Sequence, residues 1–254
     1  MAPPSRRTQT SPFCVAPTVA DSGTARIVQL GYAAVSILTG DPLPRELFST
    51  FLSSERQPFD GTFVLTTEQT DRIIARSDVL SMAIALEKKL IVRAFTQALL
   101  GSSAKLSQER LVPWATSVAT RLMQRMAAAR GLVKEDVSTG DYAGSLEEPH
   151  PGDWAQLRPF ESFAAYISFG ALHYHFAGVA TMMPMAHGPS AALQLDLRTV
   201  LSDTFNFHFK EEDPGTGWMD HALARLQCSG DAKPFQIEGI GTPFRLTITG
   251  GERR

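Results

Sequence analysis

Carboxylates and imidazoles crowd one short span of this sequence: Asp203-Thr-Phe-Asn206-Phe-His208, followed by Glu211, Glu212, Asp213, Asp220 and His221. Oxygen ligands of this kind hold Mg²⁺, and a carboxylate near an imidazole can take a proton from water and return it to a leaving group. In that chemistry Asp203 holds the ion or activates water, His208 or His221 moves the proton, and Asn206 orients the substrate. The structural alternative has Asp203 at a strand bulge and the acidic loop merely solvated. A second set, His173-Tyr-His175, puts two imidazoles on one face of a strand. That spacing holds a metal when a third ligand arrives from a neighbouring strand, His208 being one such group. Asp203, His173 and His175 are the candidate metal ligands; alternatively, both rings occupy the polar side of a half-exposed strand.

These residues need a scaffold, and the stretch 193–209 supplies it. Leu193, Leu195, Leu197, Thr199, Leu201, Phe205, Phe207 and Phe209 alternate with Gln194, Asp196, Arg198, Ser202, Asn206 and His208. A period of two predicts a half-buried antiparallel strand. Asp203 falls in register with the apolar side, where an isolated carboxylate is costly to bury. It must be paired, hydrogen-bonded, turned outward or kept for chemistry. Residues 167–180 alternate in the same way, and Gly188-Pro189 marks a loop that would make the two strands a hairpin. Further on, Asp213-Pro-Gly-Thr-Gly217 breaks the sheet. Met219, Ala222, Leu223 and Leu226 predict one short helix, and 235–237 and 244–248 predict a closing hairpin through Gly239-Ile-Gly241.

The first half reads as helices. Residues 1–25 are rich in Pro, Ser, Thr and Arg and predict a disordered arm. Residues 26–38 are helix or strand, and Leu47, Phe48, Phe51 and Leu52 mark a short helix. Residues 68–100 predict a long helix capped by Thr66 or Thr67, its apolar stripe interrupted at Glu87-Lys88-Lys89, a solvated edge or a kink. A second long helix is expected over 108–130, with Arg121, Arg125 and Arg130 on its wet side. Polar residues then dominate 134–159. The expected architecture is α+β: an arm (1–25), a helical domain (26–133), an acidic linker (134–159) and an antiparallel, open barrel-like β domain with one short helix (160–254).

With 24 basic and 26 acidic side chains in 254 residues, the chain has no charge excess to draw it to nucleic acid or an anionic membrane. Its longest uncharged apolar run, 27–39, is shorter than the ~20 residues of a spanning helix. Arg6-Arg7 is followed by polar residues, unlike a secretory signal. Synthesis in the cytoplasm is expected, with any export left to a dedicated secretion system. Cys14 and Cys228 have no ligand spacing and are expected to be free thiols. Gly-rich phosphate loops, Gly-x-Ser-x-Gly, His-Glu-x-x-His and Cys-x-x-Cys are all missing from the sequence.

Three stretches carry a family resemblance: Gly170-Ala-Leu-His-Tyr-His-Phe-Ala-Gly-Val179, Asp203-Thr-Phe-Asn-Phe207 and Ala232-Lys-Pro-Phe-Gln-Ile237. Over 169–250 the chain resembles the catalytic domain of colicin M-type bacteriocins and related interbacterial effector β modules. In those, a strand pair leads to an Asp-x-Tyr-Asp-Phe type motif, a His-Arg pair, a short helix and a Lys-Pro-Phe/Tyr-x-Ile strand. The resemblance implies an open, barrel-like β domain and an antibacterial toxin: a Mg²⁺-dependent phosphodiesterase or pyrophosphate-type hydrolase cleaving lipid II at its undecaprenyl-pyrophosphate linkage. The implied partners are a lipid-linked envelope precursor or a protein of the immunity or secretion apparatus type. Asp203 matches the first acid of the motif; Phe205 replaces Tyr, Asn206 replaces the second Asp, and no His-Arg follows. An amide is a poorer cation ligand than a carboxylate and is no base at neutral pH. A non-catalytic interaction or adaptor module is the alternative that accommodates the missing acid.

Overall fold

The computed structural model describes residues 18–53, 62–100, 111–129, 131–140, 154–156, 171–184, 191–205 and 217–249. The chain divides into two compact units, each discontinuous in sequence: 1–63, 163–169 and 203–237 form the first, and 64–162, 170–202 and 238–254 the second. The α+β class is as expected, with helices in the N-terminal half and an open sheet fed mainly by the C-terminal half. Seven strands build that sheet, in the order β1 (Thr62–Leu65), β6 (Phe235–Ile240), β5 (Ala191–Phe205), β4 (Ala171–Pro184), β2 (Val133–Ser138); β3 (Trp154–Gln156) also pairs with β4, and β7 (Phe244–Thr249) with β5.

In the first unit the chain becomes helical earlier than composition predicts. Thr18 caps α1 (Val19–Thr39) in a capping box, its hydroxyl accepting the Asp21 N–H while the Asp21 carboxylate accepts the Thr18 N–H. Asp21 is buried and takes a two-pronged ion pair from Arg225 on α6 (Gly217–Ser229). Residues 18–25 therefore belong to the fold and not to the arm; residues 1–17 lie outside the described part. Gly40, in the left-handed region at φ 67°, stops the helix. On α2 (Leu43–Ser53) the expected apolar face is buried through Leu47, Phe48 and Phe51. Those rings continue a chain of aromatic contacts. Tyr32 stacks on Phe48 at 4.6 Å, Phe51 meets Phe205 edge-on at 5.7 Å, and Phe205 stacks on Phe235 at 5.3 Å.

Cys228, near the end of α6, is disulfide-bonded, which corrects the expected free thiol. The other cysteine of the sequence, Cys14, lies outside the described residues.

In the second unit, the expected helix over 68–100 is two. Thr66 caps α3 (Thr67–Arg76) in a second capping box with Gln69, and the chain turns extended at Ser77. The Ser77 hydroxyl then accepts the Leu80 N–H and starts α4 (Asp78–Leu100). Ser77 thus acts as a cap between the two helices. At the interruption Glu87-Lys88-Lys89 the last residue is exposed, but Lys88 is not simply solvated: its ammonium sits 3.7 Å over the Phe244 ring, and burial lowers its pKa. Helix α5 (Leu111–Ala129) turns Trp114, Val118 and Leu122 inward, with Trp114 edge-on to Phe95 of α4 at 5.2 Å. Arg121 and Arg125 are exposed as expected, and both also reach Glu135 on β2. The stretch 134–138, expected in a linker, is thus strand: Val133 to Ser138 pair antiparallel with Met182 to Ala177 of β4.

Strands β4 and β5 form the expected antiparallel hairpin, His173 opposite Ser202 and Pro184 opposite Ala191. Leu172, Tyr174, Phe176, Leu193, Leu195, Leu197 and Leu201 are buried on one face, as the period of two requires. Where the two backbones approach at Gly178, a Cβ would collide with the Asp196 carbonyl oxygen and the Leu197 Cα. The expected hairpin over 235–248 does not form. Strand β7 pairs instead with 192–197 of β5, and the Gly241 N–H donates to the Thr199 carbonyl further along the same strand. Fifteen residues make β5 long enough to accept both neighbours end to end.

Candidate functional site

Asp203 sits near the C-terminal end of β5, within the first unit. Alternation continues through it. Thr204 reaches outward to Gln236 at 3.1 Å, while Phe205 turns inward onto Phe235 and Phe51. Asp203 therefore shares the side of Phe205, at the margin of the aromatic cluster, as the register in the sequence requires. Its Oδ1 accepts the Thr204 N–H at 2.7 Å. No cation faces it among the described residues. Burial therefore dominates its protonation and pushes its pKa up to about 7, the Thr204 hydrogen bond opposing this only in part. Such a carboxyl holds comparable fractions of acid and base at neutral pH.

His221 lies partly buried on α6 in the same unit. Asn206 and His208 lie outside the described residues, as do Glu211, Glu212 and Asp213.

His173 and His175 occupy the second unit, on the side of β4 opposite its buried residues. Their ring centroids are 6.2 Å apart, and His173 Nδ1 lies 3.4 Å from the Ser202 hydroxyl directly across the ladder. The imidazole of His175 passes under Gly140, whose missing Cβ would stand 3.2 Å from the ring. Sequence reading did not single out Ser202 or Gly140, because their places depend on register and on a strand hidden in an acidic stretch. Ser202 shares the side of His173, whereas Asp203, one residue on, takes the opposite face of β5. Among the described residues no three histidine, cysteine or acidic side chains come together to hold a metal. For Mg²⁺ the described residues offer one carboxyl whose burial favours the neutral form, and by themselves they do not fit the ion.

Two surface grooves of the second unit, about 540 Å³ beside α3 and Thr242 and about 340 Å³ between α5 and β2, contain none of these candidates. No described helix is long and apolar enough to cross a membrane.

No protein-family model and no curated protein matches the sequence. Among solved structures the chain is similar to PaeM, a colicin M-like bacteriocin produced by Pseudomonas aeruginosa. The two are 14% identical over 94% of this chain and 91% of that one, with a TM-score of 0.26. This likeness runs along nearly the whole chain and not only 169–250, and it is too loose to carry an argument about activity.

Proposed function

We propose that the protein is a bacteriocin-like toxin whose Asp203 serves as the proton-transferring group in hydrolysis of a phosphate-containing, lipid-linked envelope precursor. The observation that carries this reading is a half-buried carboxyl without a cation partner among the described residues, held near neutral pKa by burial. A purely structural acid gains from a cation or several donors; Asp203 has one backbone donor and an apolar margin. Ionised, it takes a proton from the attacking water; neutral, it gives one to the departing oxygen. The substrate class rests on the sequence resemblance over 203–207 and 232–237 alone. His221, Asn206 and His208 are the side chains proposed to complete the proton path and orient the substrate, and no step is routed through Mg²⁺.

The test is release of the phosphate-containing head group from a purified lipid-linked pyrophosphate precursor, together with killing when the chain is directed to the periplasm. Asp203→Ala should lower turnover by about 10²–10⁴-fold and abolish killing, with the circular dichroism of the wild type. Unchanged killing by that variant refutes the assignment.

A further inference from the structure

Helix α1 buries one face and leaves a second, ordered one open. Asp21, Ala25, Val35 and Ser36 are buried, and the helix packs on α2 and α6 of its own unit. Away from that side stand Ala20, Gly23, Ile27, Leu30, Ala34 and Ile37, all exposed, at alternating intervals of three and four residues. This is the seven-residue repeat by which one helix seats its side chains in another. Ile27 is 62% exposed, Leu30 71%, Ile37 80% and the adjoining Leu38 84%. Arg26 is the single charged side chain between Ser22 and Thr39. The open apolar surface amounts to roughly 600 Å², at the upper end of what monomers expose and near the ~800 Å² per partner of a standard interface.

We propose that α1 of a second copy occupies this face, the two helices running antiparallel about a two-fold axis between Ile27 and Leu30. In that arrangement Ile37 of each copy meets Ala20 of the other, Ala34 meets Gly23, and Ile27 meets Leu30, so the bulky ends fall on small ones. Nothing within 4 Å would touch a Cβ at Gly23 or Gly31, which leaves room for the facing backbone. A parallel pair would instead stack Ile37 on Ile37 and leave Gly23 facing Gly23. The symmetry is self-complementary, and one arginine per helix brings no block of like charge together. A lipid surface would favour a broader apolar face edged by several lysines and arginines, whereas this seam has Arg26 alone.

Sedimentation velocity of the full chain at micromolar concentrations tests the pairing. The wild type should sediment as a dimer. Leu30→Glu should sediment as a monomer, with the dissociation constant raised at least about a hundredfold and the melting curve of the monomer retained. As a second measurement, an Ala20→Cys chain mixed with an Ile37→Cys chain should cross-link as a heterodimer under mild oxidation, and neither variant alone should cross-link through α1. A wild type that sediments as a monomer, whether or not it binds phospholipid vesicles, overturns the proposal. So does a Leu30→Glu variant that dimerises as tightly as the wild type, or cross-linking of Ile37→Cys to itself.

Discussion

Replacing Asp203 by Asn should stabilise the protein at alkaline pH while removing its activity. The sign follows from the direction of the shift. Burial raises the folded-state pKa from the ordinary 3.8 to about 7, so the folded state binds a proton that the unfolded chain releases near pH 4. Stability associated with Asp203 is intact below about pH 4, falls as the pH climbs towards 7, and is constant above that. At 1.36 kcal/mol per pH unit the full loss is about 4 kcal/mol, and water reaching a half-buried carboxyl lowers it to about 2–4 kcal/mol. Asn keeps the size of the side chain and a carbonyl oxygen for the Thr204 N–H, but cannot ionise. Urea unfolding of both chains from pH 4 to 8.5 isolates the effect, since every other titrating group cancels in the difference. The curves should coincide near pH 4 and separate by about 2–4 kcal/mol at pH 8, where the variant should melt roughly 5–15 °C higher. A separation that does not change with pH, or a variant less stable at pH 8, would mean that Asp203 is adequately partnered and would remove the physical basis for its proposed role.

The remaining tests address the frame around that acid. Asp21→Ala strands Arg225 beside α1 and should cost about 2–4 kcal/mol at pH 7, read by urea unfolding; Arg225 holds the Asp21 carboxyl well below its ordinary pKa, so the wild type keeps this contribution down to strongly acidic pH. Cys228 should not react with a thiol reagent in the native, unreduced protein. Reduction or Cys228→Ser should lower stability by about 2–4 kcal/mol, whereas a wild type that titrates as two free thiols contradicts the bridge. Gly178→Ala should cost more than about 2 kcal/mol because the new methyl group meets the β5 backbone, and an unchanged denaturation midpoint would show that β4 can shift.

Sequence discloses most of this fold where residues report on their own surroundings. The two-residue alternation of 193–205 and 172–182 requires half-buried strands, and the Thr66–Gln69 pair marks a helix start without any tertiary information. It fails where a residue's role is set by a distant partner. Asp21 reads as one more polar residue of an arm until Arg225, some two hundred positions away, is seen beside it. The stretch 134–138 reads as the start of a linker because it opens a polar run, yet two arginines of α5 take up Glu135. Gly239-Ile-Gly241 reads as a hairpin turn because local chemistry cannot reveal that β5 is long enough to take both strands. The candidate acid was legible as an anomaly in a pattern. That it has one backbone donor and no described cation was not, since both depend on what the fold brings to it.

Two aspartates in the first unit, Asp21 buried and Asp203 half-buried, show how differently one fold can treat the same side chain. At Asp21 the chain supplies a guanidinium, a capping hydroxyl and a main-chain N–H, so ionisation is favoured and the carboxylate ties α1 to α6. At Asp203 it supplies a single N–H and an apolar margin, so ionisation is opposed. Opposed ionisation alone does not name the reaction. It does specify what an active Asp203 must show: activity that depends on a group titrating near pH 7, lost in an Asn variant whose fold is firmer at alkaline pH. A purely structural aspartate of the same burial would share the firmer fold of its Asn variant but show no activity tied to its titration, and a metal-bound one would show its titration displaced to lower pH when the ion is added.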